Sequence, residues 1–373
     1  MDRIHEKMVK PSASKKINTD NKYNNQKFVL LFIIAWFFFV GLFIHIFGEI
    51  ILPFVMGGVL AYILSPLVGK IRKYGISKGT SAFLVVIPFF ALLSLSLLFL
   101  SPLLYQQVMK LIAVIPDYIS GSYDSLITVV KKFDTLIPQM ELAEIKASVA
   151  PEILGIGKWI KVLLTNVISN TFALINVMTL LLITPVVLFF LLKDWDGMRE
   201  KIYSWLPKTK AQLIKECLSE MDRTISGYLR GQATVCLLLG VLYATGLWFA
   251  GLEFGLLIGI ITGILSFIPY VGAITGFVIS MIAALYQFND WKNIALVAAI
   301  FISVQVFEGT FLTPKIIGGK VGLHPLWIIF AILAGGVLLG FVGVLIAVPL
   351  AAMIGVLVRH GVKAYLASPF YND

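Results

Sequence analysis

Residues 254–287 read FGLLIGIITGILSFIPYVGAITGFVISMIAALYQ. They form two apolar runs, Phe254–Ile268 and Gly272–Gln287, parted by Pro269-Tyr270-Val271. At ~1.5 Å per residue each run spans only about 23–24 Å, short of a ~30 Å bilayer core. Two such runs in succession predict a re-entrant helical hairpin with its tip at Pro269–Gly272. A second pair, Pro325–Leu339 and Val342–Val358, has the same form and is broken by glycine. The offset that lays Tyr270-Val271-Gly272 on Phe341-Val342-Gly343 also lays Gly263 on Ala334 and Gly276 on Ala347. One full span, Trp291–Phe311, separates the pairs, so they would enter from opposite faces as an inverted repeat, with tips meeting near the midplane. Glycine-mediated close packing without any transport site is the competing explanation.

The composition supplies the membrane. Of 373 residues 59% are apolar and only 13% charged, with a mean hydropathy of +0.93. A soluble domain carries roughly 25% charged residues. Soluble globular, disordered, collagenous and disulfide-rich classes are therefore excluded, and two cysteines, Cys217 and Cys236, build no disulfide framework. The net charge of +10 could suggest nucleic acid. The bases instead cluster between apolar runs, as with Arg3, Lys7, Lys10, Lys15, Lys16, Lys22 and Lys27 at the start. That is the signature of loops kept in the cytoplasm, so the expected partner is a lipid bilayer and no nucleic acid. A cleavable signal peptide is not expected.

These signals predict an all-α, polytopic membrane protein of roughly eight membrane segments, two of them the re-entrant hairpins. Residues 1–27 are read as a basic cytoplasmic tail and 28–104 as membrane helices. Residues 105–160, where acids balance bases and Pro116, Pro138 and Pro151 punctuate short amphipathic stretches, are read as an extracytoplasmic helical segment. Residues 161–192 cross back, with a kink expected at Thr184-Pro185. Residues 193–230 form a cytoplasmic loop in which Ile214, Cys217, Met221, Ile225 and Tyr228 share one face of an amphipathic helix. Residues 231–358 are the C-terminal membrane core with both hairpins, and 359–373 a cytoplasmic tail. Both termini fall in the cytoplasm.

Few ionisable residues lie within the apolar runs. Glu308 does, and Gln305, three residues earlier, shares its helix face. A carboxylate held there can alternate between protonated and ionised forms, which suits proton or cation coupling. The alternative is a structural pair with Lys315 or Lys320. His324 is read either as a hairpin cap or as a functional group. The expected substrate or ion-coupling residues are Glu308 and Gln305 with the hairpin residues Pro269, Tyr270, Gly272, Gly335, Gly336, Gly340 and Gly343. No catalytic grouping, metal cluster or cofactor fingerprint is present, and an enzyme is not expected.

Several stretches together resemble the autoinducer-2 exporter family of permeases: Ser266-Phe267-Ile268-Pro269-Tyr270-Val271-Gly272, Gln305-x-x-Glu308, Pro314-Lys315-Ile316-Ile317-Gly318 and Gly322-Leu323-His324-Pro325. The run Ile329 to Gly336, followed by Gly340, Gly343 and Ala347-Val348-Pro349-Leu350, carries the likeness furthest. Tyr228-Leu229-Arg230-Gly231-Gln232 and Ala61-Tyr62-x-x-Ser65-Pro66 extend it upstream. The resemblance implies a secondary transporter of the bacterial inner membrane that exports a small molecule such as the autoinducer-2 signal. It equally implies, as an alternative, a monovalent cation/proton antiporter. It also implies a homo-oligomer, of which a pentamer is one form. A non-transporting membrane scaffold or assembly factor is the reading from another class, and broken helices argue against it.

Overall fold

The computed structural model describes residues 51–132, 171–207, 211–318, 322–367 and 371. The expectations for residues 1–50, for 133–170 and for Lys320 lie outside the described residues. Among those described there is no strand. The helices are α1 (Ile51–Arg72), α2 (Lys78–Lys132), α3 (Thr171–Ser204), α4 (Ala211–Phe249), α5 (Gly255–Leu265), α6 (Val271–Gln287) and α7 (Trp291–Phe307). A π segment, Glu308–Ile317, continues α7, and α8 covers Pro325–Leu366. The protein is an all-α, multi-pass membrane protein. Helices α1, α2, α4 and α7 with its π extension are each long and apolar enough to cross a bilayer. They also leave large apolar side chains such as Phe99, Trp248 and Ile302 exposed, as lipid-facing surfaces do.

Helix α8 also meets the length criterion, yet it is not one rod. Gly340 has φ 58° and ψ −138°, which no helix interior accommodates. Beyond it the chain turns back, so that a Cβ on Gly335 would lie 2.6 Å from the Gly343 carbonyl oxygen. In a straight helix those residues would stand about 12 Å apart along the axis. α8 is therefore a helical hairpin, as the glycine break predicts. The α5–α6 pair is the other hairpin: Gly272 and Gly276 of α6 press on Ser266 and Thr262 of the preceding arm. The positions that the repeat offset aligns, 272 with 343 and 276 with 347, are the close-approach positions in both. Ala347 Cβ lies 3.4 Å from where a Gly335 Cβ would be.

Two elements run further than the sequence predicts. α2 stays helical to Lys132 and passes through Pro116, where short separate stretches are expected. Proline's fixed φ fits a helix and removes only one hydrogen bond, so a long helix absorbs it. α4 joins the amphipathic helix and the following span into 39 continuous residues. Gly231, at the expected boundary between the two, instead packs on Ile316 and Ile317 of the π segment. The apolar face through Cys217, Ile225 and Tyr228 thus runs on into buried Val235, Leu239, Tyr243 and Leu247.

α4 is the central element. Gly255, Gly259 and Gly263 of α5, spaced one helical turn apart, pack on Leu247, Ala244 and Gly240 of α4 so closely that a Cβ at any of them would overlap α4 backbone. Gln287 fastens the α4–α5 turn, donating to the Gly251 carbonyl at 2.7 Å and accepting from the Glu253 amide at 2.8 Å. His324 caps α8, its Nδ1 accepting the Leu326 amide at 3.3 Å, which is the structural one of its two expected roles. A second apolar cluster joins α1, α2 and α3 through Ala61, Leu64, Val68, Val85, Val86 and Leu188.

At one end of that cluster Asp196 accepts from Arg72 at 2.9 Å and lies 3.2 Å from the Lys78 ammonium. Hydrogen bonds from Lys78 and then Arg72 hold its carboxyl below the usual range. A depressed folded pKa adds stability that is present above the unfolded value of ~3.9 and lost as pH falls through the folded one. Asp196→Asn should therefore melt below the parent at pH 7, with the gap closing under about pH 4. A gap independent of pH would remove the ion pair as its cause. With 38% of the side chain exposed, the effect is modest.

Candidate functional site

The tip of the first hairpin begins as a problem of unpaired backbone. After α5 the chain tightens, with the Phe267 and Ile268 amides bonding three residues back. The same step for the Ser266 carbonyl leads to Pro269, which has no amide. Its partner comes from α4, where the Gln232 amide nitrogen donates to the Ser266 carbonyl at 2.6 Å. Gln232 and Ser266 are both buried. The turn is completed by Tyr270 at φ 69° and ψ −32°, the only non-glycine with positive φ among the described residues. Such backbone costs of order 1–3 kcal/mol and persists where the surroundings impose it.

Glu308 stands where α7 changes register. Pro314 lacks an amide and would strand the Thr310 carbonyl in an α-helix; in the wider π register that carbonyl faces the Lys315 amide. Gln305 donates to Glu308 at 3.1 Å, as their spacing predicts. Among the described residues Glu308 forms no ion pair, so the expected alternative of a pair with Lys315 is absent. α4 runs antiparallel to this strand of helix. Tyr243 stacks on Phe301 with centroids 4.6 Å apart, Gly246 meets Ile300, and Gly231 meets Ile316 and Ile317. Interpolating along these pairs puts Glu308 opposite the Cys236–Gly240 turn, and both Cys236 and Tyr243 lie within Coulombic reach of its carboxylate. Gln232, Cys236 and Tyr243 share one face of α4, since their spacings in sequence are close to whole numbers of helical turns. The Tyr243 hydroxyl is fully buried and has no protein partner.

One turn of α4 thus fastens three neighbours: Gln232 the hairpin tip, Gly231 the π segment, and Arg230 the helix α1. Pro66 leaves the Tyr62 carbonyl without its helical amide. Arg230 Nε donates to that carbonyl at 2.8 Å, and its Nη2 donates to Ser65 Oγ at 2.9 Å. Losing these donors should cost about 1–3 kcal/mol. In a Pro66→Ala background, which restores the amide, Arg230→Ala should cost about 1 kcal/mol less in a chemical-denaturation cycle. Strict additivity would show that Arg230 does not replace the missing bond.

The expected site residues therefore fall into separate groups. Glu308 and Gln305 meet; Pro269, Tyr270 and Gly272 form the tip beside Gln232. Gly335, Gly336, Gly340 and Gly343 belong to the second hairpin, which packs on α4 and has no substantial packing on the first. Between its arms lies an apolar groove of about 620 Å³ that includes Gly335, Leu339, Gly343 and Ala347. Gln232, Cys236 and Tyr243 were not singled out from the sequence as site residues. The signal available was three polar-capable residues on one face of an apolar helix.

A sequence model described as AI-2E family transporter matches residues 28–363. Among relatives, YrrI of Bacillus subtilis, named as a candidate transport protein, is 28% identical over 84% of this chain and 86% of its own length. YueF of the same organism, similarly named, is 29% identical over 84% of each chain. PerM of Escherichia coli, named as a candidate permease, is 27% identical over 83% of this chain and 87% of its own length.

Proposed function

Since the chain belongs to the AI-2E transporter family, we propose that it is a secondary transporter of the bacterial inner membrane that exports a small molecule, with Glu308 as its coupling carboxylate. That it is a membrane transport protein follows from the family; substrate, direction and coupling are this reading's own. The observation that carries it is the Glu308 carboxylate, set in a spanning helix, joined to Gln305 and to no cation among the described residues. A structural carboxylate at such depth ordinarily has a charged partner. The first hairpin, whose carbonyl end Gln232 of α4 holds, is a broken helix of the kind that lines ion and substrate sites in transporters. The same carboxylate favours cation/proton exchange as a second reading. The chain acts without cofactor and is no enzyme, and it works as a homo-oligomer.

Ion pairs support a single polar end for the bundle. Asp196 gathers Arg72 and Lys78, and Glu220 pairs with Arg359 at 3.2 Å and His360 at 3.6 Å. Residues 193–230 and the C-terminal tail then share the cytoplasmic side, and residues 105–160 face out. Cysteines at Ser122 and Ser204 should label from opposite sides with an impermeant reagent; labelling from one side only refutes this topology.

Purified protein in proteoliposomes tests the function. Labelled autoinducer-2 efflux, measured beside proton flux driven by sodium, potassium or lithium gradients, separates the two readings. Efflux that responds to a proton gradient supports coupled export. Cation-driven proton flux alone supports the antiporter, and neither flux would refute transport of these substrates.

A further inference from the structure

The groove between the arms of the second hairpin is apolar along its length and cationic at one end. Leu339 and Gly343 line it near the Gly340 break, and Leu323, His324 and Arg359 line it at the base of the hairpin. From Gly343 to Arg359 the second arm rises about 24 Å. One leaflet with its headgroup region, half of a ~40–45 Å bilayer, is nearly as thick. Phe330, Leu338, Ile354 and Val358 in the walls are all exposed, so the groove opens outward. Among the described residues its ionisable side chains are His324 and Arg359, and no acid lines it. Arg359 gives one of its five donors to Glu220 of α4, Nη2 to Oε1 at 3.2 Å. Its Nη1 lies 3.6 Å from where a Gly355 Cβ would be, and Leu323 Cδ2 lies 3.0 Å from the same point. The guanidinium therefore meets Leu323 at Gly355, inside the base of the groove. His324 Nδ1 accepts the Leu326 amide, so a neutral ring carries its proton on Nε2 as a donor. Lys363 stands one turn beyond Arg359 on the same face, exposed and in no ion pair among the described residues. Trp327, also in the wall near the base, is exposed, as indole rings at headgroup level are.

We propose that this groove holds one anionic phospholipid, an acyl chain laid between the arms and the phosphate at Arg359 and His324. Arg359, His360 and Lys363 put the base of the hairpin at the water interface, and the Gly340 break then lies at depth. A trough that is apolar from depth to interface, and cationic only at the interface, repeats the polarity of such a lipid. A headgroup without net charge gains little from Arg359 and Lys363, whereas an anionic one is attracted by each. The volume of about 620 Å³ is roughly twenty times the ~30 Å³ share of one water, which suits a long chain and not a small solute. The proposal is independent of the role of Glu308.

The test offers the full chain, purified in a neutral maltoside, an equal mixture of phosphatidylglycerol and phosphatidylcholine with identical acyl chains. Native mass spectrometry identifies the lipid retained. The expected result is a preference for phosphatidylglycerol of about fivefold or more, the factor one cationic contact supplies. Arg359→Gln keeps a donor for Glu220 and should lower that preference by about fivefold. Ala351→Phe leaves every charge in place and fills the groove midway. It should cut retention of phosphatidylglycerol by about tenfold, since displacing two methylenes is enough. Phosphatidylglycerol with a diazirine in its acyl chain should crosslink to the groove walls of the parent, which locates the lipid even where a variant fails to fold. Equal retention of the two lipids by the parent overturns the proposal, because an ordinary lipid-facing surface does not select. Crosslinks that map elsewhere overturn it, as does a preference that survives Arg359→Gln. If Ala351→Phe changes the oligomer mass and not the lipid content, the groove is a contact between copies of the chain and the proposal fails.

Discussion

Glu308→Gln is expected to flatten the pH profile of transport while leaving the fold and oligomer intact. Glutamine keeps the shape of the side chain and can still accept from Gln305; what it loses is the titratable charge. If proton release from Glu308 gates the cycle, the parent rate should change by up to about tenfold per pH unit on the limb it controls, and the variant should not follow. A carboxylate that only served packing would behave in the opposite way. Its ionised form costs several kcal/mol at depth unless a partner compensates, so neutralising it would alter thermal stability and leave the profile of transport per folded molecule in place. Proteoliposome flux between pH 5.5 and about 8.5, normalised to folded protein, separates the two. A retained profile would end the coupling role and leave facilitated diffusion.

Gly343→Ala should give the largest loss of stability of any single-methyl change in the second hairpin. The added Cβ would overlap the carbonyl group of Gly335, and both sides of that contact are backbone. Overpacking against movable side chains costs typically about 1–3 kcal/mol; here no rotamer can yield, so the arms must part. The control is Gly336→Ala, whose Cβ would meet only the Val344 Cγ2 methyl at 3.2 Å, a contact a small side-chain shift relieves. Melting temperatures in nanodiscs should separate the two variants clearly. Near-equal melting would mean that the arms are not clamped at Gly335 and Gly343, and the hairpin would lose its main support.

Much of this was legible in the chain. Run length against bilayer thickness identified both hairpins, because the rise of a helix is fixed and runs this short cannot span the core. The three-residue step from Gln305 to Glu308 placed them on one face, and their hydrogen bond follows from helix geometry alone. Helix ends were less legible. α2 and α4 outrun their predicted limits because charge composition marks where polar surroundings begin, and a helix need not stop there.

Local periodicity and apolar length are properties of neighbours in sequence, so the amino-acid sequence by itself determined the helical class, the membrane setting, the two hairpin breaks and the Gln305–Glu308 pair. Partners far apart in sequence were decided only by the tertiary structure. Pro66 and Pro269 each announce a backbone carbonyl that lacks its amide; Ser65 Oγ donates to the Tyr62 carbonyl locally at 3.3 Å, but neither stretch names the distant donor that reaches it. The packing of α4 brings Arg230 to the first, 168 residues from Tyr62, and Gln232 to the second, 34 residues from Ser266. A buried carbonyl must be hydrogen-bonded, but which donor reaches it depends on how whole helices stack, and that depends on glycines such as Gly259 and Gly263 letting backbones touch.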